Sequence, residues 1–350
     1  MTWRPGTGML RCTAVAVAAV LLTACGALDE GGGDGGGSAA APEGATRVRV
    51  GYLHTIAVDD KLWLGTQEGY FADEGLDLEA TQFDTGIAVS QALAGGSIDV
   101  AIMGGVTSNF PAQGQGQIFM ANSLETATAR MYVQPDSGIS SVADLRGRTI
   151  ATTEGTTADI YLHRALESAG LTRQDVDVVN AAMPNAVQAF VSGSVDAIAL
   201  WVPFDLRLTE AVPDAVEIDN AGNYDDAGVV DGWIANNDWY EENEDTVRAL
   251  IRSWLTTNAA FREDPEGSLQ TVFESAYEGQ AELSDLEYQL GFQSDFTNAE
   301  WLDMYESGEI LERVGQAERA YVELGGVPQY VEPSTFFDTS LFVEEAKEVE

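Results

Sequence analysis

One segment of the chain, residues 69–105, leaves few folds open to it. GYFADEGLDLEATQFDTGIAVSQALAGGSIDVAIMGG is in turn a helix end, a strand, a loop, a helix, a strand and a loop. Gly75 stands where a helix needs a left-handed stop, and Leu76, Leu78 and Ala80 alternate as in a half-buried strand. Thr85-Gly86 opens a short helix that closes at Gly95-Gly96. The nearly unbroken apolar run 98–103 predicts a parallel strand covered on both faces. Gly104-Gly105 follows it, where bulk would obstruct a ligand. In such sheets the ligand crevice lies beyond the carboxyl ends of the strands. The loops 84–86 and 104–108 are therefore predicted to line it, with Thr85, Gly86, Gly104, Gly105 and Thr107 as candidate contacts.

The unit recurs. The run from Gln91 through Ala92, Leu93, Ala94, Gly95, Gly96, Ser97 and Ile98 to Asp99 is echoed as Gln188, Ala189, Phe190, Val191, Ser192, Gly193, Ser194, Val195 and Asp196. Gly75-Leu76 is echoed by Gly170-Leu171 at nearly the same offset. Two such matches predict two lobes built on one plan, with a site between them.

The first 24 residues have the form of an export signal. Arg4 and Arg11 make a basic start, and TAVAVAAVLL, residues 13–22, is an apolar core too short to span a bilayer. Leu22-Thr23-Ala24-Cys25 fits the lipobox of bacterial lipoproteins, which makes Cys25 the lipidated first residue of the mature chain. The Gly-rich segment after it predicts a flexible tether over residues 25–46. The two cysteines are Cys12 and Cys25, so the mature domain is left with no disulfide, thiolate metal site or cysteine nucleophile. The formal charge of −40 comes from 57 acidic against 17 basic residues, and it excludes nucleic acid as a partner. A hydrophobic content of 45% argues for a packed domain beyond the tether.

RVRVGY, residues 47–52, alternates as a first strand, and the loop after it is expected to bring His54 and Thr55 to the crevice. Trp63, in the helix that follows, is expected in the core. IFMA, residues 118–121, is a further strand, and Glu125 is the one acid of the loop expected over residues 122–128. After the strand 149–152 comes Thr153-Glu154-Gly155-Thr156-Thr157, opening a helix. Free backbone N–H groups and hydroxyls at a helix start suit an anion, so Gly155, Thr156 and Thr157 are candidate contacts; threonine N-capping is compatible with that role. Two apolar faces at helical spacing, one with Val247, Leu250, Ile251, Trp254 and Leu255 and one with Leu311, Val314, Ala317, Tyr321 and Leu324, are expected to pack on the first lobe.

GYFADEGLDLEATQFDTGIAVSQALAGGSIDVAIMG, VADLRGRTIATTEGTTADIYLHRALESAGL and VDAIALWVPF, in that order, resemble the solute-binding proteins of ABC importers for taurine, alkanesulfonates and nitrate. The resemblance spans residues 48–345. It implies an α/β fold of the two-lobe periplasmic-binding-protein-like (type II) kind, two doubly wound sheets joined by hinge crossings at residues 130–134 and 231–236. Lobe 1 would comprise residues 47–132 and 234–350, and lobe 2 residues 133–233. It also implies an aromatic wall at Trp201. VVDGWIAN is most similar to the taurine-binding branch, which makes Asp231 the expected partner of a ligand ammonium, with Glu125 in reserve and Trp201 offering a cation–π face.

The function so implied is capture of a small sulfonate, taurine first, by an extracytoplasmic protein lipid-anchored to the cell membrane. It would deliver the ligand to an ABC permease and ATPase. Alkanesulfonates, nitrate and pyrimidine vitamin precursors are alternative ligands on the same fold, and an enzyme of the desulfinase type is an alternative activity. That chemistry uses a cysteine nucleophile, which the mature chain lacks. His54 and His163 are not spaced as a metal pair, and neither a P-loop nor a Gly-x-Ser-x-Gly elbow occurs. No catalytic residue, metal or cofactor is expected.

Overall fold

The computed structural model describes residues 44–105, 107–294 and 296–349. The expected export signal, Cys25 and nearly all of the tether lie outside the described residues. The strands are β1 (Thr46–Leu53), β2 (Leu76–Phe83), β3 (Val100–Met103), β4 (Gln117–Glu125), β5 (Ala129–Val133), β6 (Thr149–Thr152), β7 (Asp177–Asn180), β8 (Ala197–Trp201), β9 (Val216–Asn220), β10 (Val229–Ala235) and β11 (Gln293–Ser294). They form two sheets, ordered β11-β4-β10-β3-β1-β2 and β7-β6-β8-β5-β9.

In each sheet a returning strand, β10 or β5, lies antiparallel between strands that run parallel to one another. β1 runs parallel to β2 and β3, whereas β10 is antiparallel to both β3 and β4. In the second sheet β6 runs parallel to β7 and β8, whereas β5 is antiparallel to β8 and β9. The carboxyl ends of β1, β3 and β4 therefore share an edge with the start of β10. The carboxyl ends of β6 and β8 likewise share an edge with the start of β5. Residues 126–128 join the end of β4 directly to the start of β5, so these two edges face one another across a crevice.

Sheet membership corrects the expected lobe boundaries. Arg130 lies within β5, between β8 and β9, and Asp231 lies within β10, between β3 and β4. Residues 129–132 thus belong with the second sheet and residues 229–233 with the first, and the links are residues 126–128 and 221–228. β4 also runs past its apolar stretch as far as Glu125, so the loop expected from residue 122 begins later. The polar residues Asn122 and Ser123 stay in the buried strand because Asn122 Nδ2 donates to the Ala57 carbonyl at 2.8 Å and the Ser123 hydroxyl is taken up by the buried Asp231 of β10. Asn122 Oδ1 in turn accepts from the indole N–H groups of Trp233 and Trp254. Their partners are all inside, which meets the requirement that buried polar groups be hydrogen-bonded.

The first sheet is covered by the helices Ile56–Gln67, Glu244–Glu263 and Asn298–Ser307, whose Leu62, Trp254 and Trp301 are buried with Val50, Ile102 and Phe119. Each such large apolar side chain contributes about 1.5–3 kcal/mol. The second sheet has its own core, including Ile150, Tyr161, Leu162, Phe190 and Ile198. The face expected on Leu311, Val314, Ala317, Tyr321 and Leu324 divides. Val314 joins the first core and Leu311 packs against it, whereas Ala317 and Tyr321 form a separate cluster with Ile160 of the second lobe and Val229, the first residue of β10. The helix Glu309–Glu323 therefore bridges the lobes.

Candidate functional site

The crevice edge of the first sheet collects acceptors. Asp231 is fully buried on β10, opposite Ser123 of β4, and its Oδ2 accepts from Ser123 Oγ at 2.5 Å. Glu125, the last residue of β4, is also buried, and its Oε2 accepts from Thr128 Oγ1 in the link. The other oxygens of both carboxyls converge on Gly104: a Cβ there would stand 3.1 Å from Asp231 Oδ1 and 3.3 Å from Glu125 Oε1. Burial, and then the charge of Glu125, pushes the Asp231 carboxyl well above its ordinary range, and burial also raises Glu125. When both are ionised Asp231 Oδ1 has no donor among the described residues. A proton held between the two carboxyls supplies one, as like charges confined together require.

His54 follows β1 at the same edge. Its Nδ1 lies 2.6 Å from Asp59 Oδ2, and its ring stacks on Tyr277 with centroids 4.0 Å apart. Asp59 is fully buried and also accepts from Tyr277 Oη at 2.6 Å and Trp63 Nε1 at 3.2 Å. Half-buried Trp63 therefore works as a donor to Asp59 as well as a packing group. The adjacent Asp60 points elsewhere, to Lys61 Nζ at 2.7 Å. Thr55 precedes the helix Ile56–Gln67 and caps it through its carbonyl, which accepts from Val58 and Asp59. Thr85 Oγ1 caps the helix Gly86–Ala94 by accepting from Ala88.

Three expected contacts are engaged otherwise. Thr107 is buried, and its hydroxyl is within hydrogen-bonding distance of the Met103 and Gly104 carbonyls, so it braces its own loop. The Gly155 N–H donates to Asp159 Oδ2 at 2.8 Å, and Thr156 Oγ1 donates to the Thr153 carbonyl at 2.7 Å. An acid in the first turn of the helix Thr157–Ser168 folds back into the expected anion cradle and fills it from within. Thr157 remains at the helix start, directly against Gly105 of the other lobe.

Trp201, half-buried at the end of β8, stands edge-on to Phe204 at 5.3 Å and forms part of the second lobe's crevice edge. Sequence reasoning missed Arg130 beside it. The guanidinium lies 4.0 Å over the Phe292 ring and donates to Glu217 at 2.8 Å, while its buried Nε has no hydrogen-bond partner among the described residues. Ser108 Oγ, after β3, and Thr152 Oγ1, at the end of β6, are likewise buried without a partner. Of the eleven buried atoms without a hydrogen-bond partner among the described residues, His54 Nε2, Ser108 Oγ, Arg130 Nε, Thr152 Oγ1 and Asp231 Oδ1 belong to the crevice edges of the two sheets, and Arg130 Nε also lies 3.9 Å from Asp205 Oδ2. A polar ligand or ordered water in the crevice would satisfy them.

The family model described as NMT1/THI5 like matches residues 61–268, more than half of the chain. The chain belongs to the NMT1/THI5-like family. Among the relatives of this chain, a protein of Brucella abortus (strain 2308) named as a binding protein, with no ligand stated, is 27% identical over 296 residues, which cover 84% of this chain and 91% of that one. The taurine-binding periplasmic protein of Escherichia coli (strain K12) is 25% identical over 200 residues, 56% of this chain and 61% of that protein. The alkanesulfonate-binding protein SsuA from Xanthomonas axonopodis pv. citri, in a structure bound to MOPS, shares the fold with a TM-score of 0.67 at 21% identity, over 86% of this chain and 100% of that one. The two-lobed arrangement of this NMT1/THI5-like chain is thus that of a periplasmic binding protein.

Proposed function

We propose that this chain is a solute-binding protein, not an enzyme, that captures a small zwitterionic sulfonate outside the cytoplasm and delivers it to an ABC importer, with taurine the leading ligand. The observation that carries the reading is the convergence of Asp231 Oδ1 and Glu125 Oε1 over Gly104. Two buried carboxyls whose outer oxygens are already engaged by Ser123 and Thr128 leave their inner oxygens for a multiple donor. An ammonium group is such a donor, and it relieves the repulsion that otherwise requires a shared proton. A sulfonate then faces the donors at the other crevice edge, the Thr152 hydroxyl and Arg130 Nε, with the Ser108 hydroxyl opposite, all buried without a hydrogen-bond partner among the described residues. Nitrate and amine-free alkanesulfonates bring nothing to the acid pair, so the pair selects against them. The taurine-binding relative supports the same choice.

The lipobox supports anchoring through Cys25. Cys25→Ala would then release the protein from membranes, and a mature chain starting beyond Cys25 without an acyl group would refute it. The ligand is tested by calorimetric titration with taurine, ethanesulfonate, nitrate and a thiamine-precursor pyrimidine. Taurine is expected to bind most tightly. Asp231→Ala is expected to weaken taurine by about 30-fold or more, the usual effect of losing one member of a charge-assisted pair in a closed site, and ethanesulfonate far less. Preference of the wild type for ethanesulfonate would remove the assignment.

A further inference from the structure

The first sheet places a third acceptor beside the acid pair, and its chemistry is set from behind. Tyr52 of β1 pairs with Ile102 of β3, and Gly232 of β10 pairs with Met103. One or two residues further along each strand, His54 and Asp231 flank Gly104 on either side. His54 Nε2 is buried and has no hydrogen-bond partner among the described residues. Its other nitrogen is committed. Asp59 Oδ2 lies 2.6 Å from Nδ1, and the Asp59 carboxylate also accepts from the Tyr277 hydroxyl and from the Trp63 indole, a group that only donates. A carboxylate so placed requires a proton on Nδ1, and in the neutral imidazole that leaves Nε2 as a bare lone pair. Stacking on Tyr277 and the edge of Tyr52, 6.0 Å away, hold the ring in its plane.

We infer that His54 is a specificity-determining ligand contact, accepting a hydrogen bond at Nε2, and that Asp59 is its positioning residue. The first lobe then offers three acceptors, Glu125 Oε1, Asp231 Oδ1 and His54 Nε2, and no donor among them. A primary ammonium has three N–H groups and matches that set; a quaternary or tertiary amine does not. This deepens the reading of the crevice as an ammonium site and rests on it.

The chain has two histidines, so nitrogen NMR of the imidazoles gives two resolvable spin systems, assigned with His163→Gln. The expected result for the free protein is a proton on Nδ1 of His54 and none on Nε2, with the Nε2 resonance shifting on saturation with taurine. Asp59→Asn should move the ring proton to Nε2, and His54→Phe should remove the acceptor while keeping the stack on Tyr277. Each is expected to weaken taurine at least about tenfold, the effect of one lost hydrogen bond to a charged donor. N,N,N-trimethyltaurine should bind the wild type far more weakly than taurine. Wild-type protein that binds taurine while His54→Phe, folded by circular dichroism, binds it equally well overturns the role of His54 and leaves the acid pair standing. A proton on Nε2 in the free wild type, or an Nε2 resonance unmoved by bound taurine, overturns it too. Wild-type protein that binds no taurine removes the ammonium reading and this inference together.

Discussion

Gly105 and Thr157 meet across the crevice with no room for a side chain between them. A Cβ on Gly105 would stand 2.5 Å from Thr157 Oγ1 and 2.8 Å from its backbone nitrogen. The two loops belong to different lobes, so this contact exists only with the lobes shut. Tyr321 completes it, because its hydroxyl lies within hydrogen-bonding distance of the Gly105 carbonyl and 3.4 Å from that of Gly155. The bridging helix thus touches both loops at the place where they close.

Gly105→Ala should therefore act on closure alone. The obstruction is Thr157 backbone as well as side chain, so a rotamer change does not relieve it. The variant is expected to keep the wild-type melting temperature without ligand, to bind taurine at least about tenfold more weakly, and to scatter in solution as a more open particle at saturating ligand. Fluorescence from Trp201, at the crevice edge, should respond less to ligand than in the wild type. Equal affinity and superimposable scattering curves would show that the loops do not close on the ligand.

Asp231→Asn should stabilise the free protein while spoiling the site. The Asp231 carboxyl is raised in the folded state by burial and by Glu125. Such a group contributes stability that is fully present below its unfolded value, about 3.9, and is lost as pH rises through the folded value. The amide carries no charge and can donate to Glu125. Its advantage in melting temperature should be small in acid and grow with pH, to about 2–4 °C per kcal/mol gained. An advantage that does not change with pH would mean that the pair does not titrate as one unit.

Much of this organisation is readable from the residues, and the failures have physical causes. The echo of Gln91 to Asp99 at Gln188 to Asp196 marks the helix-to-strand passages into β3 and β8, which occupy corresponding places in the two sheets. Gly104, after its apolar strand, stands beside the Asp231 and Glu125 carboxyls. The lobe boundaries shift because β4 buries polar residues, Asn122 and Ser123, that sequence patterning assigns to a loop. The anion cradle at Gly155 fails because Asp159, four residues on, takes the N–H itself. That competitor is visible in the sequence. The support of His54 is not: Tyr277 reaches Asp59 from 218 residues away, a distance no local pattern carries.

Glu323→Gln tests how much the polar contact between the bridging helix and the second lobe contributes to closure. Glu323 Oε2 lies 2.9 Å from both His163 Nε2 and Arg164 Nη1, joining the bridging helix to the second lobe. Glu323 is about half exposed, so the cluster is worth no more than about 1 kcal/mol and is screened by salt. Taurine affinity should fall by at most about fivefold at low salt, with the difference shrinking in 0.5 M salt. A loss as large as that expected for Gly105→Ala, or one indifferent to salt, would mean that Glu323 acts through the fold rather than through this cluster.

Ligand capture should release a proton. Burial and Glu125 push the Asp231 carboxyl well above its ordinary range, with Asp60 of the neighbouring helix adding to the repulsion and the hydroxyls of Ser123 and Thr128 serving the outer oxygens, so the free pair is expected to share a proton. An ammonium between the two carboxyls takes the place of that proton, so binding is favoured as the proton becomes easier to remove. Taurine affinity should rise with pH by up to about tenfold per unit until the pair is ionised without ligand, and then level off. Calorimetry in two buffers of different ionisation heat should count up to one proton released per taurine bound. Asp231→Asn should abolish the release, which separates the acid pair from any contribution of His54 or His163. Affinity independent of pH between 5 and 8, with no proton released, would mean that the carboxyls are already ionised apart and that the ammonium lies elsewhere.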